Sequence, residues 1–180
     1  VPPVLEEIVQ HALDREPARR FQSAQDFQDA LAGFLHATGL ELIGRLALQA
    51  IRDRRWAPEA VGGLTLGADP VAYAIARASC EAPPPVHAFT VRKAAKEHGA
   101  SRRIEGCFSA GVPVVVVEDV ITTGGSALQA AEAVRSAGGL VLGVVAVVDR
   151  EEGGRTALES AGFGVHALTE ASTLLAGGAP

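Results

Sequence analysis

Two valine-rich runs do most to limit what this chain can fold into. VPVVVV at 112–117 and LVLGVVAVV at 140–148 carry no charge, and such strands are typical of the interior of a parallel sheet. Between them, SALQAAEAVRSA at 126–137 has the apolar spacing of a helix, and Gly138 and Gly139 favour its end. Strand, helix and strand in this order predict a right-handed parallel crossover unit.

The chain from Leu40 continues the alternation of helices and strands. The spacing predicts helices at 40–54 and 68–79, the second with Asp69 as N-cap and Pro70 at the first helical position. Further strands are predicted at 60–63, 86–91 and 162–169. The composition is 48% hydrophobic with only 4% aromatic, so the core must be built from small aliphatic side chains. We therefore expect an α/β fold, a mostly parallel sheet flanked by helices, with ligands at the carboxyl ends of the strands.

The first 37 residues follow a different pattern from the remainder. Apolar residues lie on one helical face at 4–13, and Ser23 can cap a second helix, which predicts an αα-hairpin. The expected division is a hairpin at 1–37 and a main domain at 40–176. DREPARRF and FQSAQDFQDAL resemble the last two helices of bacterial Ser/Thr protein kinases. No Gly-rich nucleotide loop, HRD or DFG is present, so kinase activity is not expected. A fusion remnant, a packing appendage and a docking module remain open for the hairpin.

Bulk properties exclude several classes of function. The net charge of -5 gives no general attraction to nucleic acid or to an anionic membrane. No run reaches the ~18 apolar residues of a membrane span, and no basic-then-apolar leader opens the sequence. Two distant cysteines, Cys80 and Cys107, do not make a metal or disulfide framework and suit a reducing cytoplasm. The expected location is therefore cytoplasmic.

Glu118 and Asp119 stand side by side where the run 112–117 ends, and a Thr-Gly loop follows. The two glycines let the backbone amides of 122–126 curl around an oxyanion at the start of the next helix. The acids suit sugar hydroxyls or a hydrated divalent cation. A ribose 5-phosphate would satisfy both halves, whereas the alternative is a tight turn beside two solvated acids.

Several stretches together resemble a known family. VVVVEDVITTGGS at 114–126 resembles the phosphoribosyl pyrophosphate (PRPP) signature of type I phosphoribosyltransferases. VRKAAKEHG at 91–99 with RRIEG resembles the mobile catalytic loop of orotate phosphoribosyltransferases, a loop here predicted to be exposed from 92 to 106. GGLTLGADP at 62–70 resembles their pyrophosphate turn, and VVDREEGG at 147–154 their base-binding strand end. The resemblance covers roughly residues 40–170.

This resemblance implies a function and a set of site residues. The activity would be transfer of the phosphoribosyl group from PRPP to orotate, with Mg²⁺ held mainly through PRPP and without direct protein ligands. The catalytic residues would be Arg92, Lys93, Lys96, His98 and Asp119. The same four loop residues would bind PRPP, together with Glu118, Asp119, Val120, Ile121, Thr122, Thr123, Gly124, Gly125 and Ser126. Thr122 and Arg150 would bind orotate, and the amides of 63–67 would take the pyrophosphate. In the family the loop closes over the neighbouring subunit's site, which implies a homodimer.

The pattern departs from the family before Leu40. Members carry an aromatic N-terminal hood over the base, and here the hairpin stands in its place. This keeps a second function open, a non-catalytic protein that senses PRPP or a nucleotide. The basic loop argues against it, because a sensor has little need for cations aimed at a leaving group. Arg150 also has an alternative role as an ion-pair partner of Glu151 or Asp149.

Overall fold

The computed structural model describes residues 11, 16, 24–93 and 103–176. The chain divides into two compact units, 1–42 and 43–180, and the whole sheet belongs to the second. The helices in the described parts are α1 (Ala24–Asp53), α2 (Ala68–Glu81), α3 (Gly125–Ser136), α4 (Gly154–Ser160) and α5 (Ala171–Ala176). The strands there are β1 (Ala60–Leu64), β2 (His87–Val91), β3 (Ile104–Gly106), β4 (Pro113–Ile121), β5 (Leu140–Asp149) and β6 (Val165–Glu170).

The six strands form one sheet in the order β3-β2-β1-β4-β5-β6. All neighbouring strands are parallel except β3, which runs antiparallel to β2. β4 lies inside the sheet and is paired on both sides. It pairs with β1 up to Val116 and with β5 as far as Ile121. The predicted α/β class and the mostly parallel sheet are confirmed.

Both faces of the sheet are covered, which explains the uninterrupted valines of β4. Val114 and Val116 pack with α3, whereas Val115 and Val117 pack on the opposite face with α1 and α2. Each of these four side chains is fully buried. Strands buried on both faces lose the alternation of polar and apolar residues that marks a half-exposed strand.

Helix α3 meets the sheet through small side chains. Its buried residues are Ala127, Ala130, Ala131, Ala133 and Val134. Alanine places the helix backbone close to the branched side chains of the strands, so a dense core forms with few aromatic residues. The low aromatic content noted in the sequence is therefore a property of this layer packing.

The structure differs from the sequence-based expectation in four elements. α1 is one helix of 30 residues, where separate helices ending near 35 and starting at 40 were expected. Residues 104–106 form β3 and pair with β2, so the predicted loop from 92 to 106 ends in a strand. The short helices α4 and α5 were not predicted at all. None of the helices within the described ranges has the length and apolarity needed to cross a bilayer.

Candidate active site

The adjacent strands β1 and β4 create an opening at their carboxyl ends. The helix after β1 leads to β2 on one side of the sheet order, and the helix after β4 leads to β5 on the other. These helices also cover opposite faces of the sheet. The two connecting loops therefore diverge and leave a crevice, which is where open α/β sheets bind ligands.

Glu118 and Asp119 lie near the end of β4 but in different environments. Glu118 is only 6% exposed, whereas Asp119 is exposed and its Oδ1 accepts the amide of Val120 at 2.8 Å. Burial, followed by a side-chain hydrogen bond with Asp119 and the charge of Asp119, raises the pKa of Glu118 to about 8. Glu118 therefore favours its protonated form at neutral pH.

The turn after β1 lies directly against this acid pair. A Cβ atom added to Gly67 would come within 2.6 Å of Asp119 Oδ2, so a larger residue at this position would push the exposed side chain of Asp119 aside. The amide of Thr65 is already bonded to the carbonyl of Val91 at 2.9 Å. Among the described residues no protein acceptor binds the amides of Leu66 and Gly67, so these two of the predicted pyrophosphate amides can take a ligand.

Asp69 does not cap α2, contrary to the sequence-based prediction. The N-cap position is Gly67, and Asp69 lies within the first turn. Its carboxylate accepts the hydroxyls of Thr65 at 2.8 Å and Thr90 at 2.9 Å. Asp69 thus joins the turn after β1 to the end of β2, a tertiary role that the local pattern of a capping residue does not reveal.

The loop after β4 presents unused backbone amides. Gly124 has a φ of +82°, a conformation that favours glycine, and α3 begins at the next residue. Within the described residues, no protein acceptor binds the amides of Thr122, Thr123 or Gly124. Gly125 and Ser126 lie in the first helical turn, whose N–H groups have no partner inside the helix. The amides of 122–126 thus have no protein acceptor among the described residues, and the helix dipole favours an anion beside them, although Gly124 itself is buried against Gly154.

The predicted residues Val120 and Ile121 differ in exposure. Val120 is 38% exposed, whereas Ile121 is 1% exposed and belongs to the core. The carbonyl of Ile121 accepts the amide of Arg150 at 2.9 Å. This bond fixes the strand end after β5 beside the Thr-Gly loop at 122–126, which we call the phosphate loop because a phosphate is predicted there.

Arg150 lies at the carboxyl end of β5, as the sequence predicts. Its guanidinium pairs with Glu152 at 2.8 Å, and both side chains are about half exposed. Neither of the two partners expected from the sequence holds it. Asp149 is instead paired with Arg155 at 2.8 Å, a residue that the sequence analysis did not single out.

The basic loop is described only at its two ends. Arg92 is half-buried and binds Glu105 through two nitrogens, at 2.8 and 2.9 Å, and this carboxylate raises the pKa of Arg92. The amide of Arg92 donates to the carbonyl of Arg103, which ties the ends together. Lys93 is exposed. Lys96 and His98 lie outside the described residues.

A cavity of about 460 Å³ adjoins these loop ends. It is lined by Thr65, Tyr73, Thr90, Arg92, Glu105 and Gly106. Arg92 therefore faces a space shared with the turn after β1. Tyr73 and Glu105 were missed in the sequence. Tyr73 stands in no motif, and Glu105 lies within RRIEG but comes to this side only through the pairing of β2 with β3.

Known proteins share this arrangement over most of the chain. The orotate phosphoribosyltransferase of Aquifex aeolicus is 50% identical over 134 residues, 74% of this chain and 72% of the relative. That of Mycobacterium avium is 50% identical over 142 residues, 79% of this chain and 76% of the relative. No family model matches the chain.

A solved structure agrees with these relatives. The Mycobacterium tuberculosis orotate phosphoribosyltransferase in complex with PRPP has a TM-score of 0.67 and 44% identity, over 77% of this chain and 76% of that chain. This chain belongs to the orotate phosphoribosyltransferase family.

Membership in the orotate phosphoribosyltransferase family confirms the family and the fold expected from the sequence. It does not test the individual site residues, which remain predictions placed in a consistent geometry. The resemblance of residues 1–37 to the end of a kinase has no support among these relatives and also stays a prediction.

The buried proton on Glu118 should make stability depend on pH. Between pH 4.5, the ordinary pKa of a glutamate, and about 8, the folded state binds more protons than the unfolded state, so the free energy of unfolding falls as pH rises. Glu118→Gln cannot ionise at this position, so its free energy of unfolding should exceed that of wild type by an amount that grows with pH and reaches about 1–3 kcal/mol at the upper end of this range. This is less than the full linkage value because solvent screens part of the effect.

Urea unfolding at the two ends of this range measures the difference. Glu132→Gln, which replaces an exposed glutamate of α3, is the control and should keep the wild-type pH dependence. Identical pH dependence in Glu118→Gln and wild type would contradict a buried, protonated Glu118.

Proposed function

We propose that this chain is a Mg²⁺-dependent orotate phosphoribosyltransferase that works on PRPP and orotate. The C1–oxygen bond of PRPP breaks as a bond from C1 to the orotate ring nitrogen forms, the proton of that nitrogen passes to the pyrophosphate or to water, and orotidine 5-monophosphate and pyrophosphate leave. The observation that supports this best is the acid pair of Glu118 and Asp119 next to the amides of 122–126, which have no protein acceptor among the described residues. Acids and amides are the groups that a ribose ring and its 5-phosphate require.

The acid pair suits a vicinal diol because two carboxyl groups stand side by side near the end of β4. A hydroxyl group both donates and accepts hydrogen bonds, so two adjacent carboxyl groups can bond to two neighbouring hydroxyls. The raised pKa of Glu118 favours its protonated form, and the exposed side chain of Asp119 lies next to it. Positioning of the ribose in this way fixes C1 relative to both reaction partners.

The leaving pyrophosphate would face the cavity between the turn after β1 and the loop ends. Negative charge accumulates on the pyrophosphate as the C1 bond breaks, so donors and cations aimed there lower the barrier. The amides of Leu66 and Gly67 and the guanidinium of Arg92 are the described groups on this side. In the proposal, Lys93, Lys96 and His98 add further positive charge when the loop closes and excludes water.

Orotate would bind through Arg150. A guanidinium presents a planar fork that matches a carboxylate, and the orotate carboxylate would displace Glu152 from it. The Arg150–Glu152 pair is half exposed and contributes little to stability. Replacing Glu152 by the orotate carboxylate should therefore cost little free energy. Thr122, half-buried at the start of the phosphate loop, would contact the base.

Mg²⁺ would be held mainly by the diphosphate. Among the described residues, no group of three or more His, Cys, Asp or Glu side chains is arranged to bind a metal. Mg²⁺ keeps several of its waters and binds the oxygens of substrate phosphates, so in this proposal it would have no direct protein ligand. When bound, the ion would neutralise charge on the leaving group. We also propose a cytoplasmic location.

Loss of orotate absorbance in the presence of PRPP and Mg²⁺ tests the activity. Wild type should consume orotate, and Asp119→Asn should lower kcat/KM about 10- to 100-fold, because a hydrogen bond to a charged acceptor is lost. Glu132→Gln, which removes an exposed carboxylate from α3, should leave the rate unchanged. PRPP binding by wild type without orotate turnover would refute the proposal and favour the PRPP sensor.

Mixing two weakened variants tests the proposed homodimer with a shared loop. Lys96→Ala removes a loop cation and Asp119→Asn damages the sugar site, so a mixed dimer contains one intact site served by one intact loop. After subunit exchange, activity should return to about a quarter of wild type, since half of the dimers are mixed and each has one working site. A mixture of Lys96→Ala with Lys93→Ala is the control and should recover nothing. Verified exchange without recovery would show that each loop serves its own subunit.

A further inference from the structure

The turn after β5, residues 150–153, is held by the buried carboxylate of Asp149. This side chain is only 2% exposed. Its Oδ2 accepts Nε of Arg155 at 2.8 Å, and its Oδ1 accepts the amide of Glu151 at 2.9 Å. A buried carboxylate depends on such partners, because an unpaired charge in the interior is strongly unfavourable. Asp149 therefore fixes the beginning of the turn and the side chain of Arg155 at once.

The same network extends to β6 and α5. Nη2 of Arg155 binds Glu170 at 3.0 Å, at the end of β6. The carboxylate of Glu151 accepts the amide of Ser172 at 2.8 Å. Glu151 has a φ of +61°, which is uncommon for a residue other than glycine and persists only where surrounding contacts impose it. The bonds from Asp149 and Ser172 are such contacts.

The turn is also seated against the phosphate loop. The amide of Arg150 donates to Ile121 and that of Gly154 donates to Thr122, each at 2.9 Å. A Cβ added to Gly154 would lie 2.7 Å from the amide nitrogen of Gly124. The turn that carries Arg150 is thus bonded to the phosphate loop on one side and to the network of Asp149 on the other.

We propose that Arg155 is a positioning residue for orotate. Through Asp149 it keeps the turn in the geometry that aims Arg150 at the base, although Arg155 itself does not touch the substrate. The inference rests on the proposed function, in which Arg150 grips the orotate carboxylate. The side chain of Arg150 has an exposed partner in Glu152, and such a pair constrains orientation weakly, so the backbone of the turn determines where the guanidinium points.

Kinetics with both substrates tests this role. Arg155→Met keeps much of the side-chain volume but removes the charge and the fork, and should raise KM for orotate about tenfold, since small misplacement of a binding group is costly. The Kd for PRPP, measured by calorimetry, should stay within about twofold of wild type because the acid pair and the phosphate loop keep their own supports. Arg155→Lys keeps the charge but lacks the planar guanidinium, so its KM for orotate should lie between those of wild type and Arg155→Met.

Hydrogen exchange provides a readout that does not depend on activity. The amides of Glu151 and Ser172 should lose protection in Arg155→Met, while those of β4 keep theirs. Arg77→Met is the matched control, because it removes an arginine that pairs with Glu81 on the surface of α2, and it should change neither KM nor protection at these sites.

The outcomes separate this inference from the proposed function. A wild type that consumes no orotate refutes the proposed function before Arg155 is tested. An active wild type, with Arg155→Met changing orotate and PRPP binding equally or changing neither, overturns the positioning role. If Arg155→Met does not fold, Arg155→Lys and Asp149→Asn replace it in the same test. Either should raise the KM for orotate while PRPP binding is retained.

Discussion

The parallel pairing of β1 with β4 is the constraint on which the rest of the structure depends. Because the helices that follow these strands cover opposite faces and lead to opposite sides of the sheet order, their loops separate at the carboxyl ends. The resulting crevice receives the turn at 65–67 from one strand and the acids and amides of 118–126 from the other. A sheet with both faces covered also demands apolar strands, so the polar groups are confined to this rim.

Connections between neighbouring loops give the rim its fixed geometry. Asp69 joins the turn after β1 to the end of β2, and Gly67 is in contact with the carboxylate of Asp119. On the other side, the turn after β5 is bonded to the phosphate loop and braced by Asp149 and Arg155. Asp69, Asp149 and Arg155 would not touch substrate, but they position groups that would, an arrangement expected where catalysis requires preorganised donors.

The sequence predicted those parts of the site that depend on contiguous residues. The valines of β4, the pair of Glu118 and Asp119 and the glycines after it express strand burial, acid placement and loop curvature within a few positions. Family resemblance then linked them to Arg92 and Arg150. The sequence did not predict groups brought together by register or packing: β3 is recognisable only through its pairing with β2, and Asp69 looked like a cap because its partner Thr90 lies 21 positions away. Arg155 was missed for the same reason, since its partner Glu170 belongs to another strand.

We expect a sugar phosphate to bind the amides of 122–126, which have no protein acceptor among the described residues, next to the acid pair. Titration of ¹⁵N-labelled protein with ribose 5-phosphate, followed by amide NMR, tests it most directly. The account predicts saturable downfield shifts of the amide protons of 122–126, because each would donate a new hydrogen bond to phosphate oxygen. Saturable binding that leaves these amides unshifted and moves resonances elsewhere would contradict it.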